Sequence, residues 1–352
     1  MRDKNNQLNR GSFRRMAVAL ERFAPEALDL ILTRYRILKE ILDNQPVGRR
    51  QVANRAGTSE RAARTEIDLL RERGAVEITP AGIVLTNFGM ELIEDMDEIV
   101  RGMEGLYSLA SRLKERFRLE HVIVTAGDAY RDSHARREMG RAAAMYLRSI
   151  LIDNCVLAVT GGTTLAEMAQ AMKPGLGASG ITVLPARGGL GESMEAQANA
   201  IAARIAQTIG GNYRLLHVPD NLDEETIAHL TGNPQVHEIL AKLKQADILV
   251  FGIGSASEMA ARRGLPESAL RVLEENQAVG EAFRYYFNQD GEPVYTLPGI
   301  GLELSDLKSI KRVVAVAGGS NKACAIEAMM KNLRRGILIT DEGAARAILG
   351  GV

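Results

Sequence analysis

The sequence predicts an α/β protein in two parts, an N-terminal winged helix-turn-helix and a larger, open, doubly wound body. Residues 25–87 run helix, short helix, tight turn, helix, hairpin. From His121 onward, short β-branched apolar runs alternate with helical stretches, the pattern of buried parallel strands. Between the two parts a heptad pattern runs without a miss. The 352 residues suit two or three domains, and 46% hydrophobic with 25% charged residues can build a core.

Residues 1–24 are polar and Arg-rich and read as a flexible arm. From Pro25, Leu28, Ile31, Leu32, Tyr35, Leu38, Ile41 and Leu42 recur at spacings of three and four, until Gln45-Pro46-Val47-Gly48 breaks the helix. A short helix carries Val52, Ala53 and Ala56 and ends at Gly57. Thr58 or Ser59 caps a third helix that holds Ala62, Ala63, Ile67, Leu69 and Leu70 and stops at Gly74. Two β-prone runs around Pro80-Ala81-Gly82 make the hairpin. The third helix is the candidate DNA reader, presenting Ser59, Glu60, Arg61, Arg64 and Thr65, with Arg49, Arg50 and Arg55 on or beside the second helix. Arginine suits phosphates and guanine edges. Residues 1–80 carry a net charge of +5 and the remainder −5, which suits an N-terminal end that meets nucleic acid. A small bundle with a solvated basic face is the alternative. Helix order, turn glycine and charge placement together favour DNA, with Arg49, Arg50, Ser59, Glu60, Arg61 and Arg64 as the contact candidates.

Residues 88–118 read as a helical linker. Leu92, Met96, Ile99, Met103, Leu106, Ala110, Leu113 and Phe117 form an a/d seam, while Gly102 and Gly105 predict a bend or an end near them. The seam serves equally as a dimer interface or as internal packing.

Residues 119–352 form the body, with strands expected at HVIVTA, CVLAVT, ITVLPA, YRLLHV, DILVFG, VVAVAG and GILIT. Ligands bind such sheets at the carboxyl ends of the strands, and four strand ends carry unusual residues. They are Gly161-Gly162-Thr163-Thr164; Arg187-Gly188 in a glycine-rich turn reaching Glu192; Gly252-Ile253-Gly254-Ser255 followed by Arg262-Arg263; and Gly318-Gly319-Ser320-Asn321-Lys322. Glycines permit close backbone approach, helix N-termini supply N–H donors, and the cations complete an anion site. Neither the Walker spacing nor the spaced dinucleotide fingerprint is present. The combination implies a small polyhydroxylated anion, such as a sugar phosphate, with a phosphate at each end.

An isomerase would need a base, for which Glu192, Glu281 and Asp341 are the candidates. Glu281 serves equally as an acceptor for sugar hydroxyls. The five histidines lie outside the glycine turns, and no catalytic triad or metal-ligand spacing is visible. Cys155 and Cys324 sit in apolar contexts as structural residues. Few cysteines, no secretory segment and no apolar stretch of ~20 residues point to a cytoplasmic protein that does not cross a membrane.

The segments QPVGRRQVANRAGTSERAARTEIDLL, TGGTTLAEMA, RGGLGE, VGEAFRYYFNQDGE, AVAGGSNKACAIEA and TDEGAA occur in this order along nearly the whole chain. In them the sequence resembles the SorC family of sugar-sensing bacterial transcription regulators. The resemblance implies a Rossmann-like body related to sugar-phosphate isomerases and deaminases, no cofactor, and a DNA-binding homodimer or tetramer. The family member it most resembles implies a repressor of the glyceraldehyde-3-phosphate dehydrogenase operon with fructose-1,6-bisphosphate as effector. Carried over by motif, Gly161, Gly162, Thr163, Thr164, Arg187, Gly188, Arg262, Glu281 and Lys322 hold the effector, with Gln197 a weaker addition. A regulator answering to another sugar phosphate, and an isomerase or deaminase, are the alternatives.

Overall fold

The computed structural model describes residues 25–103, 105–175, 178–188, 194–219, 222–333 and 335–350, in two compact units that divide between Leu106 and Tyr107. The predicted arm at 1–24 and the candidate base Glu192 lie outside the described residues.

In the N-terminal unit, helices α1 (Pro25–Asn44), α2 (Arg49–Arg55) and α3 (Glu60–Glu72) precede the hairpin β1 (Val76–Thr79) and β2 (Gly82–Leu85), and α4 (Asn87–Met103) follows. Ser59 accepts a hydrogen bond from Ala62 N at 3.2 Å and so starts α3. The helical spacing then buries Ala63, Ile67 and Leu70 against Ile37, Ile41, Val52 and Ile83. Val47, just before α2, bridges Ile83 and ties the wing to the helices. Gly82 is required there, because its φ is 141° and a Cβ would lie 2.8 Å from Val47 N.

The heptad segment is broken at Gly105, whose φ is 74°, and resumes as α5 (Leu106–Phe117). Leu106, Leu109, Ala110 and Leu113 are buried within the single chain, so this part of the seam packs internally. Leu113→Ala should therefore lower stability by about 2–5 kcal/mol in denaturant unfolding and leave the sedimentation of the folded protein unchanged. An altered oligomer at unchanged stability would make the seam intermolecular.

The C-terminal unit begins with β3 (His121–Thr125), α6 (Ser133–Ile150), β4 (Val156–Val159), α7 (Thr163–Ala171), β5 (Thr182–Pro185), α8 (Ala198–Ile209) and β6 (Asn212–Tyr213). It continues through α9 (Glu224–Gly232), α10 (Pro234–Lys244), β7 (Ile248–Phe251), β8 (Gly254–Ser255), α11 (Ala256–Arg263) and α12 (Glu267–Glu275). The last elements are β9 (Gly280–Ala282), β10 (Tyr285–Phe287), β11 (Pro293–Thr296), β12 (Arg312–Val316), α13 (Ala323–Lys331), β13 (Ile337–Asp341) and α14 (Glu342–Gly350). Seven strands form one parallel sheet in the order β3-β13-β12-β7-β4-β5-β6. The apolar runs are buried on both faces, with Leu157, Val159, Val183, Val250, Val316 and Ile339 in one core with Leu165, Met168, Ile201 and Ile205 of the flanking helices.

From β4 the chain moves outward through β5 and β6, then returns to β7 on the other side of β4 and proceeds to β12 and β13. The crevice between the carboxyl ends of β4 and β7 is thus the topological switch point, where open α/β sheets bind ligands.

The structure departs from the expected strands in two places. Only Asn212–Tyr213 of the region around YRLLHV pairs as a strand. Beyond it, Asn199 replaces a neighbouring strand, donating to Leu216 O at 3.1 Å and accepting from Leu216 N at 3.0 Å. A second, antiparallel sheet, β11-β10-β9-β8, was not anticipated.

Candidate functional sites

The candidate DNA-reading face lies in the N-terminal unit. Arg50, Arg61 and Arg64 are exposed and, among the described residues, form no ion pair. Glu60 is exposed in the first turn of α3. Two candidates are already engaged by the fold. The Ser59 hydroxyl caps α3, and Arg49 donates to Asp68 Oδ1 at 3.0 Å, which ties α2 to α3. Arg61→Ala or Arg64→Ala should cost about 1–3 kcal/mol of operator binding, and Arg50→Ala should lower the salt slope by about one unit. Gel-shift titrations at several salt concentrations check both. Unchanged affinity in both reader variants would remove α3 from the role.

In the C-terminal unit a cavity of about 190 Å³ opens at the switch point. Gly161, Gly162, Thr163, Thr164, Arg187, Gly188, Gln197, Arg262, Glu281 and Lys322 all line it. After β4 the chain turns through the two glycines into α7, for separate reasons. A Cβ on Gly161 would lie 2.6 Å from Ala196 O, whereas Gly162 has φ 126° with open space around it. Gly162 is the N-cap of α7 and no side chain caps the helix, so its first N–H groups face the cavity together with the hydroxyls of Thr163 and Thr164. Thr160 Oγ1 accepts from Gly252 N at 3.1 Å and joins the β4 and β7 ends.

Arg187 follows β5. Its backbone bridges Gly301, and its side chain donates to Gly188 O at 3.0 Å and to Phe283 O. Phe283 has φ 62°, a strained conformation for a bulky residue, and stacks on Phe251 with ring centroids 4.8 Å apart. Glu281, on β9, is 6% exposed. It accepts from Arg263 at 3.1 Å and stands 3.7 Å from Arg187. A carboxylate set beside two guanidiniums is placed to accept hydrogen bonds more than to abstract a proton.

Lys322 comes from the turn after β12, where Gly319 has φ 103°. Among the described residues it makes no side-chain hydrogen bond or ion pair. Burial pushes its amine below the ordinary lysine pKa; Arg262 and Arg136 act the same way, and Glu258 and Asp341 oppose. Among the described lining residues, Arg187, Arg262, Arg263 and Lys322 thus face one acidic residue, Glu281. This is an environment for a polyanion.

Asp341, a candidate base, is corrected by the structure. It is fully buried, does not line the cavity, and accepts from Ala129 N at 2.6 Å, Gly319 N at 2.8 Å and Ala344 N at 2.8 Å. Its position at the end of β13 and the start of α14 makes it a backbone clamp. Among the described residues no histidine lines the cavity.

Two family models cover the two units. CggR_N, the CggR N-terminal DNA binding domain, matches residues 30–100, and Sugar-bind, a sugar-binding domain, matches residues 101–350. The Central glycolytic genes regulator of Priestia megaterium is 44% identical over 92% of this chain and 95% of its own. Its counterpart in Bacillus subtilis is 40% identical over 94% of this chain and 97% of its own. A solved SorC family transcriptional regulator from Enterococcus faecalis is 39% identical, with a TM-score of 0.65 over 69% of this chain and 99% of that one. The chain belongs to the SorC family. It is a sugar-sensing, DNA-binding transcriptional regulator and not an enzyme, and its α/β body is the sugar-binding part. Among the described residues no helix is long and apolar enough to cross a membrane.

Sequence reasoning noted Arg263 in its Arg-Arg pair but left it out of the effector set. Which of two adjacent arginines reaches Glu281 depends on α11 packing, which spacing alone does not reveal. Phe283 was missed too, because a positive φ in a non-glycine residue has no sequence signature.

Proposed function

We propose that the chain represses glycolytic genes, the glyceraldehyde-3-phosphate dehydrogenase operon among them, and leaves its operator when fructose-1,6-bisphosphate fills the cavity. The observation that carries this is the lining of one cavity by positive groups: the uncapped start of α7 after β4, Arg187 after the neighbouring β5, and Lys322 after β12 across β7, with Arg262 near it. One phosphate belongs to the Gly161–Thr164 turn and Arg187, the second to Lys322 and Arg262, and the sugar hydroxyls to Glu281 and Gln197. The effector carries close to four negative charges if each phosphate resembles phosphoserine, about −1.5 to −2 apiece. A helix N-terminus supplies only about half a positive charge, so the side chains are needed. The named relatives support glycolytic control. The repressor acts in the cytoplasm as a homodimer or tetramer on a two-fold or repeated operator.

A thermal-shift panel of sugar phosphates tests the effector. At a hundred times Kd, fructose-1,6-bisphosphate should stabilise the body by about 2.7 kcal/mol, while monophosphates fill one end and stabilise less. A larger shift with another sugar phosphate would make that compound the effector.

A further inference from the structure

Carboxylates from three elements hold the turn that carries Lys322, at successive residues. Asp341 accepts from Gly319 N at 2.8 Å. Asp128, on the loop after β3, accepts from Ser320 N at 3.0 Å and from the Ser320 hydroxyl at 2.7 Å. Glu258, in the first turn of α11, accepts from Asn321 Nδ2 at 2.9 Å. A Cβ on Gly319 would lie 2.7 Å from Asn321 Oδ1, so that glycine leaves room for the Asn321 amide. Asp341 and Asp128 tie the turn to the β13–β3 end of the sheet, whereas Glu258 ties it to the helix that follows β7 and β8. That helix also carries Arg262, one turn beyond Glu258 on the same face. Burial lowers the pKa of the Lys322 amine and the Glu258 charge opposes the shift, so the carboxylate lies within electrostatic reach of the amine. Glu258 itself is exposed and is not among the described lining residues of the cavity.

We infer that Glu258 is a positioning residue: through Asn321 it fixes the Lys322 turn to α11 and so sets the span between the Lys322 ammonium and the Arg262 guanidinium that receive one phosphate group. This rests on the sugar-phosphate reading above. Without that hydrogen bond the turn is still held at Gly319 and Ser320, but Asn321 and the lysine after it lose their tie to α11. Part of the binding free energy then goes into ordering the two cations. The charge of the carboxylate acts the other way, since it repels an anion. The two contributions are separable, because Glu258→Gln keeps an acceptor for Asn321 and removes the charge, while Glu258→Ala removes both.

The test is calorimetric titration of the full chain, as parent, Glu258→Gln, Glu258→Ala, Asn321→Ala and the double variant Glu258→Ala with Asn321→Ala. Each is titrated with fructose-1,6-bisphosphate and with inorganic phosphate. Glu258→Ala and Asn321→Ala should each weaken the bisphosphate about threefold to tenfold. The double variant should be no weaker than the weaker single one, because both substitutions remove the same hydrogen bond. Glu258→Gln should bind at least as tightly as the parent, and inorganic phosphate should follow the same order. Denaturant unfolding of the ligand-free variants should be parent-like, since both side chains are exposed. Parent-like or tighter binding by Glu258→Ala, a Glu258→Gln as weak as Glu258→Ala, or additive losses in the double variant overturns the inference. So does a loss of affinity matched by a lower unfolding midpoint without ligand, which would make the contact structural. A parent that binds inorganic phosphate but not the bisphosphate sinks the proposed effector, while the Glu258 comparison still reads out with phosphate. A parent that binds neither overturns both.

Discussion

Lys322→Ala should give a regulator that still binds its operator but no longer responds to the effector, with bisphosphate affinity about thirtyfold weaker or more. The amine is withdrawn from water and has no hydrogen-bonding partner among the described residues. Removing one side of a desolvated charge contact costs about 2–5 kcal/mol, and 2 kcal/mol is about thirtyfold. The ligand-free fold should be no less stable, because an uncompensated buried amine is itself unfavourable. The pH dependence has a definite sign. Burial lowers the amine's pKa in the ligand-free body, and a bound phosphate favours the ammonium form. Effector affinity is therefore fully present below the lowered pKa and falls as pH rises through it. Titration calorimetry on parent and Lys322→Ala protein checks this; equal affinities, or an identical alkaline loss in both, would detach Lys322 from the ligand.

Asp341→Ala should be the most destabilising of the substitutions proposed, by about 3–6 kcal/mol. Its carboxylate holds three backbone N–H groups, on the β3–α6 loop, the Lys322 turn and α14. Each orphaned buried donor, Gly319 N and Ala344 N, costs about 1–3 kcal/mol, and the partly buried Ala129 N costs less. The Lys322 turn loses its anchor at Gly319, so effector affinity should fall as well. Asp341→Asn keeps an acceptor and should cost less in both respects. Denaturant unfolding measures the first effect, and a loss below about 1 kcal/mol would make the clamp dispensable.

The parallel sheet was legible because its strands are continuous apolar runs, and the cavity because four strand ends carry glycine turns, three of them with a nearby cation. The helix order of the N-terminal unit was legible from Ser59, Gly57 and Gly74, residues that start or stop helices for local reasons. What was hidden depended on partners distant in sequence. The strands β8 to β11 are two to four residues long and lack a clean alternation, so no periodicity betrays them. Leu216 and Val218 are buried like strand residues, but Asn199, far back in the chain, satisfies the Leu216 backbone that a neighbouring strand would otherwise pair. Asp341 reads as a base on residue type alone. Only the fold brings Ala129 and Gly319 to it. Arg263 and Phe283 owe their roles to the side-by-side placement of α11 and the second sheet.

The coupling between sugar and DNA is tested most directly by following the fluorescence anisotropy of labelled promoter DNA, upstream of the glyceraldehyde-3-phosphate dehydrogenase operon, during titration of the bound parent protein with fructose-1,6-bisphosphate. Coupling is reciprocal, so DNA must weaken effector binding by the same factor by which the effector weakens DNA binding. The expected result is loss of anisotropy over the range in which the bisphosphate saturates the body, with the sugar recovered unchanged. DNA that stays bound to a saturated protein would contradict it.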